Sequence, residues 1–258
     1  MLSFGEEVVT VKKTVFLLLL FVGVPLVMFS AVVGEIKSRG YFLVGLSADF
    51  PPFEFVNEKG EIVGFDVDIA REIAKKLGVE LKVVEMTFDG LIPALLTKKI
   101  DAIISGMTIT EERRKVVEFS DPYFEAGQVI VVRKDSNFRP KSYEELVGKT
   151  VAVQLGTTGD LEVSKYQGVK VVRFDKFTDA FLEVRAKRAD AVVLDSATAK
   201  AFVEKNPDFV ISSPVLSSEH YGIAVRKEDQ DLLAVINETL KELMEKSIYK
   251  SLFSKWFE

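Results

Sequence analysis

From residue 41 onward, short continuous apolar runs alternate with segments whose apolar residues recur at helical spacing. The runs at 41–46, 81–84, 102–104, 129–132, 151–153, 169–172, 191–194 and 222–225 have strand length. They are rich in Val, Ile and Leu, as strands covered on both faces are. Between them, Ile69, Ile73 and Leu77 mark one helical face, with Ala70 and Ala74 beside it and Gly78 placed to end it. Residues 91–96 read as a short helix with Pro93 in its first turn. Residues 111–117 read as another, entered through Thr110 with acidic residues leading. In the second half, helices are predicted at 178–188 and 196–204, and residues 142–145 (Ser-Tyr-Glu-Glu) have the spacing of a capping box. Leu232, Ile236, Leu240 and Leu243 predict a further amphipathic helix. Alternation of this kind implies α/β layers with mostly parallel strands.

Composition narrows the function classes. The 258 residues are 48% hydrophobic and 28% charged, enough apolar material for more than one core. The net charge of −5, with both signs interspersed, argues against a nucleic-acid partner, which would meet a basic face. There are no cysteines, so disulfides, thiolate zinc sites, a thiol nucleophile and a lipidated cysteine are all excluded. His220, the one histidine, cannot build a multi-histidine metal site or a two-histidine catalytic centre. No metal or cofactor is expected.

Lys12 and Lys13 precede an apolar run at 15–33, broken by Gly23, Pro25 and Ser30. A basic segment, an apolar core and then small residues form the secretory pattern, so residues 1–34 are expected to be a signal peptide. An uncleaved anchor is the competing reading, since about 20 apolar residues span a bilayer. Either way the body is expected to be periplasmic or otherwise extracytoplasmic.

Four segments carry a family resemblance: VGLSADFPPFEF (44–55), GFDVDIAREIAKKLG (64–78), the stretch 88–124 containing SGMTITEERRKVVEFSDPYF, and GKTVAVQLGTTGD (148–160). In this order they resemble the solute-binding proteins for polar amino acids that serve ABC importers, most of all the arginine binders. The resemblance implies a periplasmic-binding-protein-like α/β fold: two α/β lobes joined by a two-segment hinge, with the ligand cleft between them. Lobe 1 would comprise 35–126 and 223–258, and lobe 2 residues 127–222. Gly127 and Gly222 fall near the crossovers, either as permissive hinge backbone or as ordinary strand-end turns.

Carried over position by position, the resemblance also implies a site. Arg113 would clamp the ligand carboxylate, since a guanidinium grips two oxygens at once, and Thr108 would add a hydroxyl and an N–H. The loop holding Thr157 and Thr158 would meet that carboxylate from the second lobe. Taken on its own residues, the loop is a weak anion loop without the lysine or spacing of a Walker motif. Asp195, at a strand's carboxyl end, would accept the ammonium, although by itself it reads equally as the N-cap of the next helix. Ser105 and the backbone of Gly106 and Met107 would complete the ammonium's acceptors from the first lobe. Phe50 and Phe88 fall at aromatic wall positions suited to a guanidinium or amide, and Ser47 and Gln154 at positions that read the side chain. Many basic-residue binders carry an acid where this chain has Ser47, while Asp49 and Glu54 lie nearby.

The expected function is therefore capture of L-arginine, or a related basic or polar amino acid, and its delivery to an ABC transporter permease. A glutamine binder of the same family is the alternative. A dehydratase on the same scaffold would need a general acid or base in the cleft, and no catalytic residue is assigned.

Overall fold

The computed structural model describes residues 32–258. Two five-stranded sheets organise them. The first has the order Glu80–Glu85, Tyr41–Leu46, Ala102–Ile103, Ala224–Val225, Glu118–Phe119, and the second Lys170–Phe174, Thr150–Gln154, Ala191–Asp195, Gln128–Arg133, Phe209–Ile211. Both follow one plan. Three parallel strands are extended by an antiparallel one, Ala224–Val225 in the first sheet and Gln128–Arg133 in the second. Each sheet thus defines one α/β lobe, and the alternating pattern of the sequence is realised as layers.

The strands form where β-branched runs can be covered on both faces. Phe42, Val44 and Leu46 are fully buried, as are Val151, Ala152 and Val153 in the second lobe. The helix Phe65–Leu77 lays Ile69, Ile73 and Leu77 on its sheet and ends at Gly78, whose left-handed φ of 75° lets its N–H return to the Ala74 and Lys75 carbonyls. The helix Val32–Arg39 buries Val32 and Ile36, and the Val33 N–H donates to Asp231 of the helix Gln230–Glu245. The expected leader lies outside the described residues except for 32–34, which open this helix.

The chain crosses between lobes at Phe124–Ala126 and Glu219–Tyr221. These segments pair antiparallel, with Phe124 opposite Tyr221 and Ala126 opposite Glu219. Neither Gly127 nor Gly222 adopts a left-handed φ. What requires glycine is close approach: a Cβ at Gly127 would lie 2.3 Å from the Ser217 carbonyl oxygen, and one at Gly222 2.8 Å from Ile109.

Three features depart from the sequence reading. The capping box at 142–145 does not form. Glu145 instead accepts the Lys141 N–H at 3.1 Å, and only a 3₁₀ turn at Glu144–Leu146 follows. A small three-stranded sheet joins Asp49–Phe50, Glu54–Val56 and Ile62–Val63. A last helix, Ile248–Phe257, presents Tyr249, Phe253 and Phe257 at successive turns. Phe257 stacks on Phe124 at 5.1 Å, so this aromatic face backs a crossover strand.

Ile36 ties the first described helix to the core with no exposure at all. Ile36→Ala is expected to destabilise the protein by about 2–5 kcal/mol through lost burial and the cavity left behind. The shift in urea midpoint at constant slope is the measurement.

Candidate ligand-binding cleft

The parallel strands of both sheets end at a shared cleft, the usual place for ligands in open α/β sheets. A small cavity lies there, and residues of both lobes line it. From the first lobe come Ser47, Phe50, Phe88, Ser105, Gly106, Thr108 and Arg113; from the second come Gln154, Thr157, Thr158 and Asp195. Asp49 and Glu54 also reach it. Met107 does not: its side chain is buried with Leu91 and Ile103, and its carbonyl accepts the Gly222 N–H.

Arg113 sits in the one-turn helix Glu111–Arg114, whose start is capped by the Thr110 hydroxyl accepting the Arg113 N–H at 3.2 Å. Arg113 as a whole is 7% exposed. It donates to the Thr108 carbonyl at 2.6 Å and, across the cleft, to the Gly156 carbonyl at 3.0 Å. The Phe88 ring lies 5.2 Å from the guanidinium carbon. Burial lowers the Arg113 pKa to about 10, against the pull of Asp195 and Glu219. That leaves it charged at neutral pH.

Asp195 ends the strand Ala191–Asp195 and occupies the N-cap position of the helix Ser196–Lys205, yet its side chain makes no capping bond. Its Oδ1 accepts the Tyr221 hydroxyl at 2.7 Å instead. The carboxyl is therefore committed to the cleft rather than to the helix. Burial, then the nearby Glu219, push its pKa up to about 7.

The floor is built around two buried carboxyls. A Cβ on Gly106 would come within 2.8 Å of the Phe50 ring, and its φ of 49° is left-handed, so glycine lets the ring close over the floor. The Gly106 N–H and the Tyr123 hydroxyl both donate to Asp66, each at 2.7 Å. Ser105 accepts the Ser47 N–H and donates to Glu54 at 2.7 Å. The Glu54 Oε2 and Asp66 Oδ1 oxygens are buried without a hydrogen-bond partner, and the Asp66 charge opposes ionisation of Glu54. Burial raises Glu54 well above the ordinary range and Asp66 to about 6.

At the far end, Asp49 accepts the Ser47 hydroxyl at 2.8 Å and the Phe177 N–H at 3.0 Å, so a first-lobe carboxylate meets a second-lobe helix start. Gln154 donates to the Asp175 carbonyl at 3.0 Å. Thr157 caps the helix Thr158–Val163 by accepting the Asp160 N–H.

Residues 42–258 match the bacterial extracellular solute-binding proteins, family 3. The chain belongs to that family. Among its family-3 relatives, the "Arginine-binding extracellular protein ArtP" of Bacillus subtilis is 38% identical, over 87% of this chain and 89% of that protein. The "L-cystine-binding protein TcyJ" of Escherichia coli is 35% identical, over 86% and 85%. The arginine-bound form of truncated ArgBP from T. maritima superposes with a TM-score of 0.81 at 82% identity, covering 81% of this chain and 99% of that one.

Two side chains of this family-3 cleft carry more than the sequence suggested. Glu219 accepts the hydroxyls of both Thr108 and Thr158, and Asp66 anchors the floor. Both partner sets lie far away along the chain, and no local pattern announces them.

The buried carboxyls have a pH signature. A folded-state pKa above the unfolded one gives stability that is complete below about the ordinary Glu value of 4.5 and is lost as pH rises through the folded value. The ligand-free protein is therefore expected to lose stability as pH rises from about 4.5 through about 6, the folded value of Asp66, and to go on losing it as Glu54 ionises at higher pH. Glu54→Gln, which cannot ionise, should flatten that loss. Thermal melts across the range provide the check, and parallel curves for the two proteins would refute it.

Proposed function

We propose that the cleft binds one α-amino acid, L-arginine foremost, and that closure on it readies the protein for the permease of an ABC importer. The observation that supports this most is the pair of buried opposite charges, Arg113 and Asp195, lining one cavity from different lobes. A zwitterionic amino acid complements both. Its carboxylate meets the guanidinium in a two-oxygen grip and its ammonium meets the carboxylate, so each charge gains the partner that desolvation demands. Because the two partners belong to different lobes, the ligand favours closure by bridging them.

The side-chain end argues for arginine. Ser47, Asp49 and Gln154 offer acceptor oxygens there, and Phe50 offers a flat face to a planar guanidinium. An acidic side chain would bury its charge against Asp49 with no cation to meet it. The arginine named for ArtP and ArgBP points the same way. Glutamine is the rival, because its amide can also stack and pair. We take the protein to be a binder rather than a catalyst. We also take residues 1–34 to direct its export, in keeping with the family's extracellular description. No helix among the described residues is long and apolar enough to cross a membrane.

Calorimetric titration tests the assignment. Arg113→Ala and Asp195→Ala should each weaken arginine binding by roughly 30- to 5,000-fold while circular dichroism stays unchanged, since each leaves a buried partner charge unmatched. Near-native affinity in either variant would displace the ligand's poles from these residues. Glutamine should displace arginine only at higher concentration than arginine itself; equal or better displacement would make glutamine the ligand.

The raised Asp195 pKa adds a pH dependence. An ammonium needs the carboxylate form, so binding drives out the proton that Asp195 holds below about pH 7. Affinity should rise by up to about 100-fold between about pH 5 and pH 8. Proton release near pH 6 should appear as a buffer-dependent binding enthalpy. A flat profile would show that Asp195 is already ionised in the free protein.

A further inference from the structure

Glu219 lies on the crossover segment Glu219–Tyr221, opposite Ala126, and gathers groups from three parts of the molecule. Its Oε2 accepts the Thr108 hydroxyl of the first lobe at 2.9 Å and the Thr158 hydroxyl of the second lobe at 2.7 Å. The Gln128 amide, at the start of the second-lobe strand that follows the other crossover, donates to the same oxygen at 3.4 Å. Its Oε1 accepts the Ser217 hydroxyl at 2.6 Å and so fixes the carboxylate plane.

We propose that Glu219 is a positioning residue that latches the two lobes in the closed state by holding the Thr108 and Thr158 hydroxyls on one carboxylate oxygen.

Thr108, Glu219 and Thr158 form a partition. Both threonines line the ligand cavity, and all three residues line a wider groove on the other side, together with Arg114, Glu162 and His220. Separating the lobes must part Thr108 from Thr158 and break at least one of their bonds to Glu219. Hydrogen bonds to a charged acceptor are among the stronger ones, so the break adds to the barrier that the ligand meets on leaving. The latch also sets polarity. A hydroxyl has one proton, and each threonine spends it on Glu219, so each offers only lone pairs to the cavity. A ligand carboxylate is then received by Arg113 and backbone N–H groups and not by these hydroxyls.

The inference rests on the amino-acid reading of the cleft, and its test separates the two. Glu219→Ala removes the latch. In Glu219→Gln the amide oxygen still accepts both hydroxyls while its NH₂ donates to Ser217. Stopped-flow displacement of arginine should show dissociation at least ~10-fold faster in Glu219→Ala, with association within ~3-fold of the parent, as expected when an interaction guards exit rather than entry. Glu219→Gln should stay within ~3-fold of the parent, a rescue that a mere need for charge would not give. On a background of Thr108→Val and Thr158→Val, adding Glu219→Ala should cost less than ~2-fold, because the groups through which it acts are gone.

The cysteine-free chain permits a readout without ligand. Spin labels on Val116→Cys and Leu161→Cys, both exposed and on different lobes, report lobe separation. Glu219→Ala should lengthen or broaden that distance, and Glu219→Gln should leave it unchanged. Parent-like dissociation in Glu219→Ala, equal acceleration in both variants, or an unaltered label distance in Glu219→Ala would each overturn the latch. If the parent binds no arginine, the functional reading fails, and the label distances alone decide the latch.

Discussion

A buried charge must find a partner, and in this protein two charges of opposite sign are buried on facing lobes without being given one another. Neither Arg113 nor Asp195 takes part in an ion pair among the described residues. The guanidinium is held by the Thr108 and Gly156 carbonyls, and the carboxylate by a phenol. The cost shows as a lowered pKa on one and a raised pKa on the other. Much of the surrounding architecture keeps them apart yet facing. Parallel strands in each lobe end at the cleft, a one-turn helix fixes Arg113, and a strand end that declines to cap its helix frees Asp195. A molecule carrying the two complementary charges at the right separation completes the set.

Much of this was legible in the sequence, for a physical reason. Strands covered on both faces must be apolar throughout, so Tyr41–Leu46 and Ala191–Asp195 stand out as runs, and a helix over a sheet must repeat its apolar face, as Ile69, Ile73 and Leu77 do. Arg113 and Asp195 were legible only through the family motifs around them, since alone each has an ordinary structural reading. What stayed hidden depends on partners distant in the chain. Glu219 binds hydroxyls 61 and 111 residues away. Glu145 was claimed by the Lys141 N–H, which the capping-box spacing did not foresee. The Met107 backbone was expected among the ammonium's acceptors, but its carbonyl is taken by the Gly222 N–H, 115 residues further along the chain.

The cleft's acids divide the labour by what surrounds them. Asp49 is met by a hydroxyl and a backbone N–H, Glu54 by the Ser105 hydroxyl, Asp66 by the Gly106 N–H and the Tyr123 hydroxyl, and Asp195 by a phenol. Four carboxyls around one small cavity would repel if all were ionised, and burial, which pushes Glu54 well above the ordinary carboxylate range, removes one of those charges. The protein can thus present negative potential at both ends of the cavity while its floor stays nearly neutral.

The sheet order carries a consequence for how the molecule is made. Ala224–Val225 lies between Ala102–Ile103 and Glu118–Phe119, so the middle of the first sheet stays open until the whole of the second sheet, from Gln128 to Ile211, has been synthesised. The second lobe is one continuous stretch and can assemble as soon as it emerges; the first waits for a strand that arrives about a hundred residues after its neighbours. A chain with such a gap at its centre stays incompletely folded while it is being produced. Completion of the first lobe is thus a late step, taken only after the second lobe can already stand.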